Sequence, residues 1–375
     1  MSFSVGIVGI PNVGKSTLFK ALTKKKVDIA SYPFTTINPN VGIVTVPDKR
    51  LAKIAEVIKP EKITPTIIEF VDIAGLVKEA HKGEGLGNQF LSQIRSCDAI
   101  LEVVRTFKAD NIEHVEKEIN PQRDIEIIKT ELLMKDLEMA ENLLKKMERD
   151  IKTKEKRVLQ KWELIKKIYQ NLSQGKLISA LSLSKEEKKD LKEFQFLTLK
   201  PIVYVLNVGQ ETEEDNRKKF ENLFPNLLVL NLKLEEEFSE LLPEEKEELG
   251  ITSQLNFLEE SQRNPLLENQ ISQKFLSGVD QLILACYNVL GLITFYTVAG
   301  GKETRAWTLK EGETVLEAAK CVHSDFFDKF IRAEEISWQE LIRTGAWSKA
   351  REKGKIRTVG REYIVQDGDV IEFKI

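Results

Sequence analysis

Along this chain, apolar runs of strand length alternate with stretches of helical period. "FSVGIVG" (3–9), "VGIVTV" (41–46), "TIIEFVDI" (66–73) and "AILEVV" (99–104) are apolar almost throughout, as are "PIVYVLNV" (201–208) and "NLLVLNL" (226–232). Near-continuous apolar runs suit strands covered on both faces, so a mostly parallel sheet flanked by helices is expected. A different pattern fills the gap before Pro201. Arg123 to Gln174 contains no Gly or Pro, and apolar residues recur at four-three spacing: Leu133, Leu137, Ala140, Leu144, Met147 and Ile151, then Val158, Trp162, Ile165, Tyr169 and Leu172. Lys154 breaks the seam once. Because the sheet must resume at Pro201, the seam reads as an antiparallel helical hairpin, bent near "ERDIKTKEKR" (148–157). Ser184 with Glu187 has capping-box spacing and predicts a further helix.

From about Gly291 the pattern becomes short strands around one helix. "LITFYTVA", a helix-like "TVLEAAKCVHSDFFDKF" and "REYIVQDGDVIEFKI" suggest a β-grasp-like module, with "QDGD" (366–369) turning between its last two strands. "LILACYNVLGLITFYTVA" (282–299) mimics a membrane span. Asn288 and Gly291 interrupt it, however, and its second half is β-branched and aromatic, so it reads as a buried helix followed by a strand, with no membrane contact. No basic stretch precedes an apolar segment at the N-terminus, so no signal peptide is read and a cytoplasmic location is expected.

Composition narrows the chemistry only slightly. The 375 residues are 42% hydrophobic and 31% charged, enough for two or three domains with cores of their own. Three cysteines without a Cys-x-x-Cys pair, and three histidines, argue against a zinc site or a disulfide framework and for a reducing compartment. The net charge of −3 is unevenly spread. Residues 145–167 hold ten Lys/Arg against four Asp/Glu, and 235–248 hold eight Glu against one Lys. The first is either a solvated arm or a contact for a phosphate backbone; the second is read as a solvated face.

"GIPNVGKST" (9–17) carries the most specific signal. It matches G-x-x-x-x-G-K-[ST] between an expected strand and an expected helix, the setting that makes this motif a phosphate loop. Gly9 and Gly14 let the chain turn so that backbone amides between Gly9 and Thr17, those of Asn12 and Val13 among them, face phosphate oxygens. Lys15 would reach the β- and γ-phosphates and assist their transfer, and the Ser16 hydroxyl would ligate Mg²⁺. "YPFTT" (32–36) stands at the spacing of a first switch loop, offering Thr36, or else Thr35, to the metal. "VDIAG" (71–75) closes a strand with D-x-x-G, where Asp72 would hold the metal through water and the Gly75 amide would face the γ-phosphate. In this order the three motifs are the machinery of a nucleotide-driven switch.

Two positions depart from a guanine-nucleotide hydrolase. The residue after D-x-x-G, often a water-orienting Gln, is Leu76, which cannot hydrogen-bond water. His114, just beyond the fourth strand, is either a surface histidine at a helix start or a group that swings toward the phosphates to position water, with His81 a weaker rival and His323 structural. In "YVLNVGQE" (204–211) the Asn-Lys-x-Asp guanine reader becomes Asn207-Val208-Gly209-Gln210. Without the carboxylate that accepts from guanine N1 and N2, a guanine preference is lost. Asn207 still offers its amide to a base edge, and the Val208 backbone is placed to read an exocyclic amine.

"GIPNVGKSTLFKALT", "ASYPFTTI", "DIAGLVKEAHKGEGLGN", the helical insertion and "GLITFYTVAGGKETRAWTL" together resemble the YchF, or Obg-like ATPase, family along the whole chain. The resemblance implies a discontinuous P-loop NTPase domain with a Ras-like, mostly parallel α/β sheet over 1–122 and 198–288, a coiled-coil insertion over 123–197, and a β-grasp-like TGS domain over 289–375. It also implies Mg²⁺-dependent ATP hydrolysis preferred over GTP, a hydrophobic residue at the Leu76 position, a histidine at the His114 position, and association with the ribosome; a monomer is expected. The family's base-reading motif is usually N-x-x-E; here Gln210 takes that place and Glu211 follows. "KAREKGKIRTVGR" (349–361), with six Lys/Arg against one Glu, is a second candidate RNA contact beside the hairpin tip. A sensor that binds nucleotide with negligible turnover, and an ordinary Obg-type GTPase, stand as the alternative readings.

Overall fold

The computed structural model describes residues 3–24, 40–73, 86–107, 118–151, 155–209, 220, 224, 226–241, 277–299 and 301–375. Packing divides the chain into two compact units, Ser4–Lys20 with Phe70–Glu236, and Met1–Phe3 with Ala21–Glu69 and Glu237–Ile375.

In the first unit, β1 (Ser4–Val8) leads into α1 (Lys15–Thr23), and the second half of β4 (Ile67–Asp72) stands beside β1. On the other side of β1 come β5 (Ala99–Arg105), β6 (Ile202–Asn207) and β7 (Leu227–Leu230), all parallel. All seven residues of β5 are buried, as its apolar run requires of a central strand. The register sets Val8 opposite Glu102 and Arg105 opposite Asn207. The C-terminal ends of the strands therefore form one edge, where open α/β sheets bind ligands. α3 (Leu86–Ser96) and α7 (Leu232–Glu240) complete this unit's sheet-flanking helices among the described residues.

The hairpin expected between β5 and β6 is formed by α4 (Pro121–Asp150) and α5 (Lys156–Ser173). Asn120 caps α4 by accepting from the Arg123 amide, and Pro121 occupies its first turn, where a missing N–H is harmless. α4 ends at Asp150 and α5 begins at Lys156, both inside the charged stretch predicted to turn. The seam in α5 differs from its heptad reading: Ile165, Ile168 and Leu172 are buried, while Trp162 and Tyr169 are only half-buried. Residues 177–199, including α6 (Lys185–Leu191), explain the shift. Ile178, Leu191 and Phe196 join the hairpin core as an additional layer at its base, which widens the buried stripe of α5. Ser184 and Glu187 cap α6 reciprocally, as their spacing predicts. Asp136 of α4, fully buried, accepts from the amides of Leu197 and Thr198 at 2.9 and 2.7 Å and from the Thr198 hydroxyl at 2.7 Å. That carboxylate fastens the returning chain just before β6.

In the second unit, β2 (Val41–Thr45) lies beside β4, and the Val46 amide donates to the Thr66 carbonyl at 3.0 Å. A separate sheet contains β8 (Leu292–Ala299), β9 (Glu303–Lys310), β10 (Arg332–Ser337), β11 (Arg357–Val359) and β12 (Asp369–Lys374). Its sixth strand is β3 (Lys62–Thr64), and the order is β11-β10-β12-β8-β9-β3. α9 (Val315–Val322) covers one face, where Phe295, Leu309, Ala318 and Ile371 meet. The other face is covered by α2 (Lys49–Ile58), α11 (Trp338–Thr344) and α12 (Trp347–Glu352), with Leu51 and Ile54 packing on Tyr296, Val298 and Ile336. The module expected from residue 291 onward thus takes a strand and a helix from residues 49–64.

Two further details depart from the sequence reading. The single helix expected around "TVLEAAKCVHSDFFDKF" breaks at His323, whose backbone is extended; its Nδ1 accepts from the Asp325 amide and so starts α10 (Ser324–Asp328). Before the "QDGD" turn, residues 363–365 bond to 313–315 through Val315 N–H to Tyr363 O and Val365 N–H to Glu313 O, and form no strand there. Gly368, at φ +95°, leaves room for Trp338: a Cβ would lie 2.5 Å from its Cδ1. α8 (Gly278–Val289), leading into β8, confirms the buried helix and strand read from 282–299. Among the described residues, no helix is long and apolar enough to cross a membrane.

Candidate nucleotide site

The phosphate loop turns between β1 and α1 as its glycines require. A Cβ at Gly9 would lie 2.7 Å from the Val103 carbonyl and 2.8 Å from Val13 Cγ2, and one at Gly14, where φ is +106°, would lie 2.5 Å from Asn207 Nδ2. Neither position admits another residue without displacing backbone or a buried amide. Asn12 also takes a left-handed backbone, at φ 65°, which asparagine tolerates better than most residues. Val13 is completely buried and anchors the loop from below. The first bond into α1 runs from the Leu18 amide to the Gly14 carbonyl, so the amides of Lys15, Ser16 and Thr17 precede the helical ladder. They form the positive end of the helix, suited to an anion.

Lys15 folds back over this loop. Its ammonium donates to the carbonyls of Gly9 and Ile10, both at 3.0 Å. Burial pulls Lys15 below the ordinary lysine value and the charge of Asp72 opposes that; burial likewise raises the Asp72 carboxyl and Lys15 opposes it. The end of β4 and the start of α1 are thus electrostatically in touch. Ser16 is exposed at the helix start. The Ser16 hydroxyl and the Asp72 carboxylate are hard oxygen groups of the kind that suits Mg²⁺, and the helix-start amides suit the phosphate beside it.

Asn207 is buried, and both ends of its amide are engaged. Nδ2 donates to the Val13 carbonyl at 2.9 Å, and Oδ1 accepts from the Leu232 amide at 3.2 Å. In this structure the residue therefore braces the phosphate loop against the start of α7. The Val208 amide is bound into the sheet, donating to Leu230 O at 3.0 Å. Arg105, which sequence reasoning passed over, lies in register with Asn207, almost fully buried, with Nε donating to the Phe107 carbonyl at 3.0 Å. Its signal was available: an arginine closing an apolar strand at the ligand-binding edge of a parallel sheet. Thr35, Thr36, Gly75, Leu76, His81, His114, Gln210 and Glu211 lie outside the described residues. Lys152 and Lys154 at the hairpin bend also lie outside them.

Comparison with known proteins agrees with this geometry. A family model described as "50S ribosome-binding GTPase" matches residues 4–140. The YchF-GTPase_C model, described as "Protein of unknown function (DUF933)", matches residues 292–375. The chain is 43% identical to the ribosome-binding ATPase YchF of Bacillus subtilis (strain 168) and 42% identical to that of Escherichia coli O157:H7, in each case across 100% of this chain and 99% of the relative. The solved structure of the Schizosaccharomyces pombe YchF GTPase superposes with a TM-score of 0.82 at 33% identity, over 100% of this chain and 98% of the other. The chain belongs to the YchF family.

Proposed function

We propose that this protein is a Mg²⁺-dependent ATP-hydrolysing switch that associates with the ribosome in the cytoplasm. The observation that carries the nucleotide reading is the loop itself: two glycine positions closed to any Cβ, three helix-start amides ahead of the ladder, and Lys15 poised over them. The amides of Lys15, Ser16 and Thr17 bind phosphate oxygens, and the Lys15 ammonium exchanges the Gly9 and Ile10 carbonyls for them. Ser16 and Thr36 would hold Mg²⁺, with Asp72 reaching it through water, and the metal would supply neutralisation of the phosphate charge. Thr36 and the Gly75 amide meet the γ-phosphate, which makes the switch segments responsive to its loss. His114 orients the attacking water that Leu76 cannot hold.

Preference for ATP rests on the loss of the guanine-reading carboxylate at Gln210 and on relatives named ribosome-binding ATPases. Ribosome association rests on those same names and on local charge. At the hairpin tip, exposed Lys146, Arg149, Lys156 and Arg157 have no acidic partner among the described residues. In the C-terminal strip, Arg351, Lys355 and Arg357 pair with Glu334, Glu340 and Glu335. The tip is thus the better-supplied phosphate contact.

Steady-state hydrolysis by the wild type beside His114→Ala tests the mechanism. Turnover should fall about 10²-fold or more in the variant, the range for losing a group that handles water. If both rates match background, the protein is a nucleotide sensor. Competition between ATP and GTP for the purified chain tests the base preference, and tighter GTP binding would return it to the Obg-type GTPases.

A further inference from the structure

A cluster of ionisable groups outside the nucleotide site lies inside the C-terminal sheet. Glu335 of β10 is fully buried, and its Oε2 accepts from Arg357 Nε of β11 at 2.7 Å. Its other oxygen, Oε1, is buried with no ordinary donor. Asp369, at the start of β12 and 3% exposed, stands on the same face of the sheet as Glu335, whose cross-strand partner Ile371 lies two residues further along β12, and the Glu335 charge reaches it. Asp369 Oδ2 accepts from the Tyr363 hydroxyl and the Gln366 amide, both at 2.9 Å. Arg357 Nη2 donates to the Tyr363 hydroxyl at 3.4 Å and closes the ring.

Two ionised carboxylates with one guanidinium, which touches Glu335 alone of the two, would leave a net negative charge in the sheet interior, and one Glu335 oxygen without a donor. A single proton removes both problems. We propose that Asp369 carries a proton that it donates to Glu335 Oε1, and that this proton fastens β11 and its basic flank, residues 349–361, to the C-terminal sheet. Glu335 holds β11 through Arg357, and Asp369 holds the segment after β11 through Tyr363. Without the proton the two carboxylates repel, and one must swing out with the side chain it holds.

Among the described residues, the groups that act on Asp369 are Glu335 from β10, Arg357 from β11, and Tyr363 and the Gln366 amide from the segment before β12. Asp367 on the same turn is engaged instead by Arg50 at 2.6 Å, and Glu334 by Arg351. β8, the other neighbour of β12, has no charged residue. Burial is the chief cause that pushes Asp369 up to about 7, helped by Glu335 and opposed by the Gln366 amide. A carboxyl raised on folding stabilises the fold fully below its unfolded value and loses that contribution as pH rises to the folded value. Here the loss spans roughly pH 4 to 7.

Hydrogen exchange of the full chain, followed by mass spectrometry on peptides from 355–374, tests this with Asp369→Asn as comparison. The asparagine amide donates to Glu335 at every pH and still accepts from Tyr363. Comparing variants at one pH cancels the intrinsic exchange rate. The ratio of wild-type to variant exchange should climb by up to about tenfold per pH unit between pH 5 and 7, the limit for one proton, and level off above. Wild-type minus variant infrared spectra at pH 6 should show a protonated carboxyl stretch. A ratio that stays constant from pH 5 to 8, or no such band, overturns the proposal. Glu335→Gln gives Asp369 a permanent donor and should abolish the pH dependence as well. Should Asp369→Asn not fold, a wild-type pH profile retained in Glu335→Gln overturns the proposal by itself.

Discussion

Lys15 and Asn207 both serve the phosphate loop, but in separable ways. Of the two only Lys15 carries a charge, and its partners in this structure are carbonyls at a partly open site. Asn207 is a positioning residue: remove its amide, and the Val13 carbonyl and the Leu232 amide are left unpaired, each costing about 1–3 kcal/mol when buried. Lys15→Ala should therefore abolish nucleotide binding in calorimetry while the thermal midpoint stays near wild type. Asn207→Ala should lower the midpoint as well as the affinity. An Asn207→Ala protein that melts and binds like wild type would show that the brace is idle. At this scale the sequence was most informative where a backbone constraint demands one residue type. Gly9, Gly14 and Lys15 are legible because few chemistries fit those places. Asn207 was legible as the residue that closes a strand beside the loop but its contacts were not, since Leu232 is its neighbour only once β7 has crossed beside β6.

Elements were legible wherever their pattern was local. The apolar runs predicted all six strands of the nucleotide-domain reading to within about two residues at each end. The four-three spacing predicted the hairpin and its bend. The base of that hairpin was not legible, because residues 177–199 have little periodicity and take their place through one side chain. Asp136, central in α4, has an ordinary acidic identity on a charged helix, yet it is fully buried and accepts three hydrogen bonds from Leu197 and Thr198. Asp136→Ala should destabilise the protein by about 3 kcal/mol, since two buried amides and a hydroxyl lose their acceptor. Hydrogen exchange would show the loss concentrated in 177–199 and the adjoining turns of α4 and α5. Exchange unchanged there, with a thermal midpoint within about a degree of wild type, would mean that hydrophobic packing by Ile178, Leu191 and Phe196 suffices.

At the scale of the whole molecule, sequence separation decided what could be read. β3 pairs with β9 across about 240 residues, and α2 packs on β8 and α11, so a segment assigned to the nucleotide domain by its position completes the sheet of the C-terminal module. Nothing in residues 49–64 alone names that partner. About 200 residues of chain separate the two basic regions, and their free charge differs. Intramolecular glutamates already hold half of the six cations in 349–361, whereas Lys146, Arg149, Lys156 and Arg157 at the hairpin tip stand exposed. A phosphate backbone gains affinity by releasing counterions in proportion to the cations it meets, with a slope of about 0.7–0.9 in log K against log salt per contact. Neutralising Lys146, Arg149, Lys156 and Arg157 together should thus weaken ribosome co-sedimentation and flatten its salt dependence by about 3 units of slope. Neutralising Arg351, Lys355 and Arg357 should change that slope by less, because each is already paired within the chain. The measurement is co-sedimentation across a series of salt concentrations, with hydrolysis followed in parallel to confirm an intact nucleotide site. Equal slopes for the tip variant and the wild type would place the contact away from the hairpin, and a larger change from the strip variant would assign it to the C-terminal module.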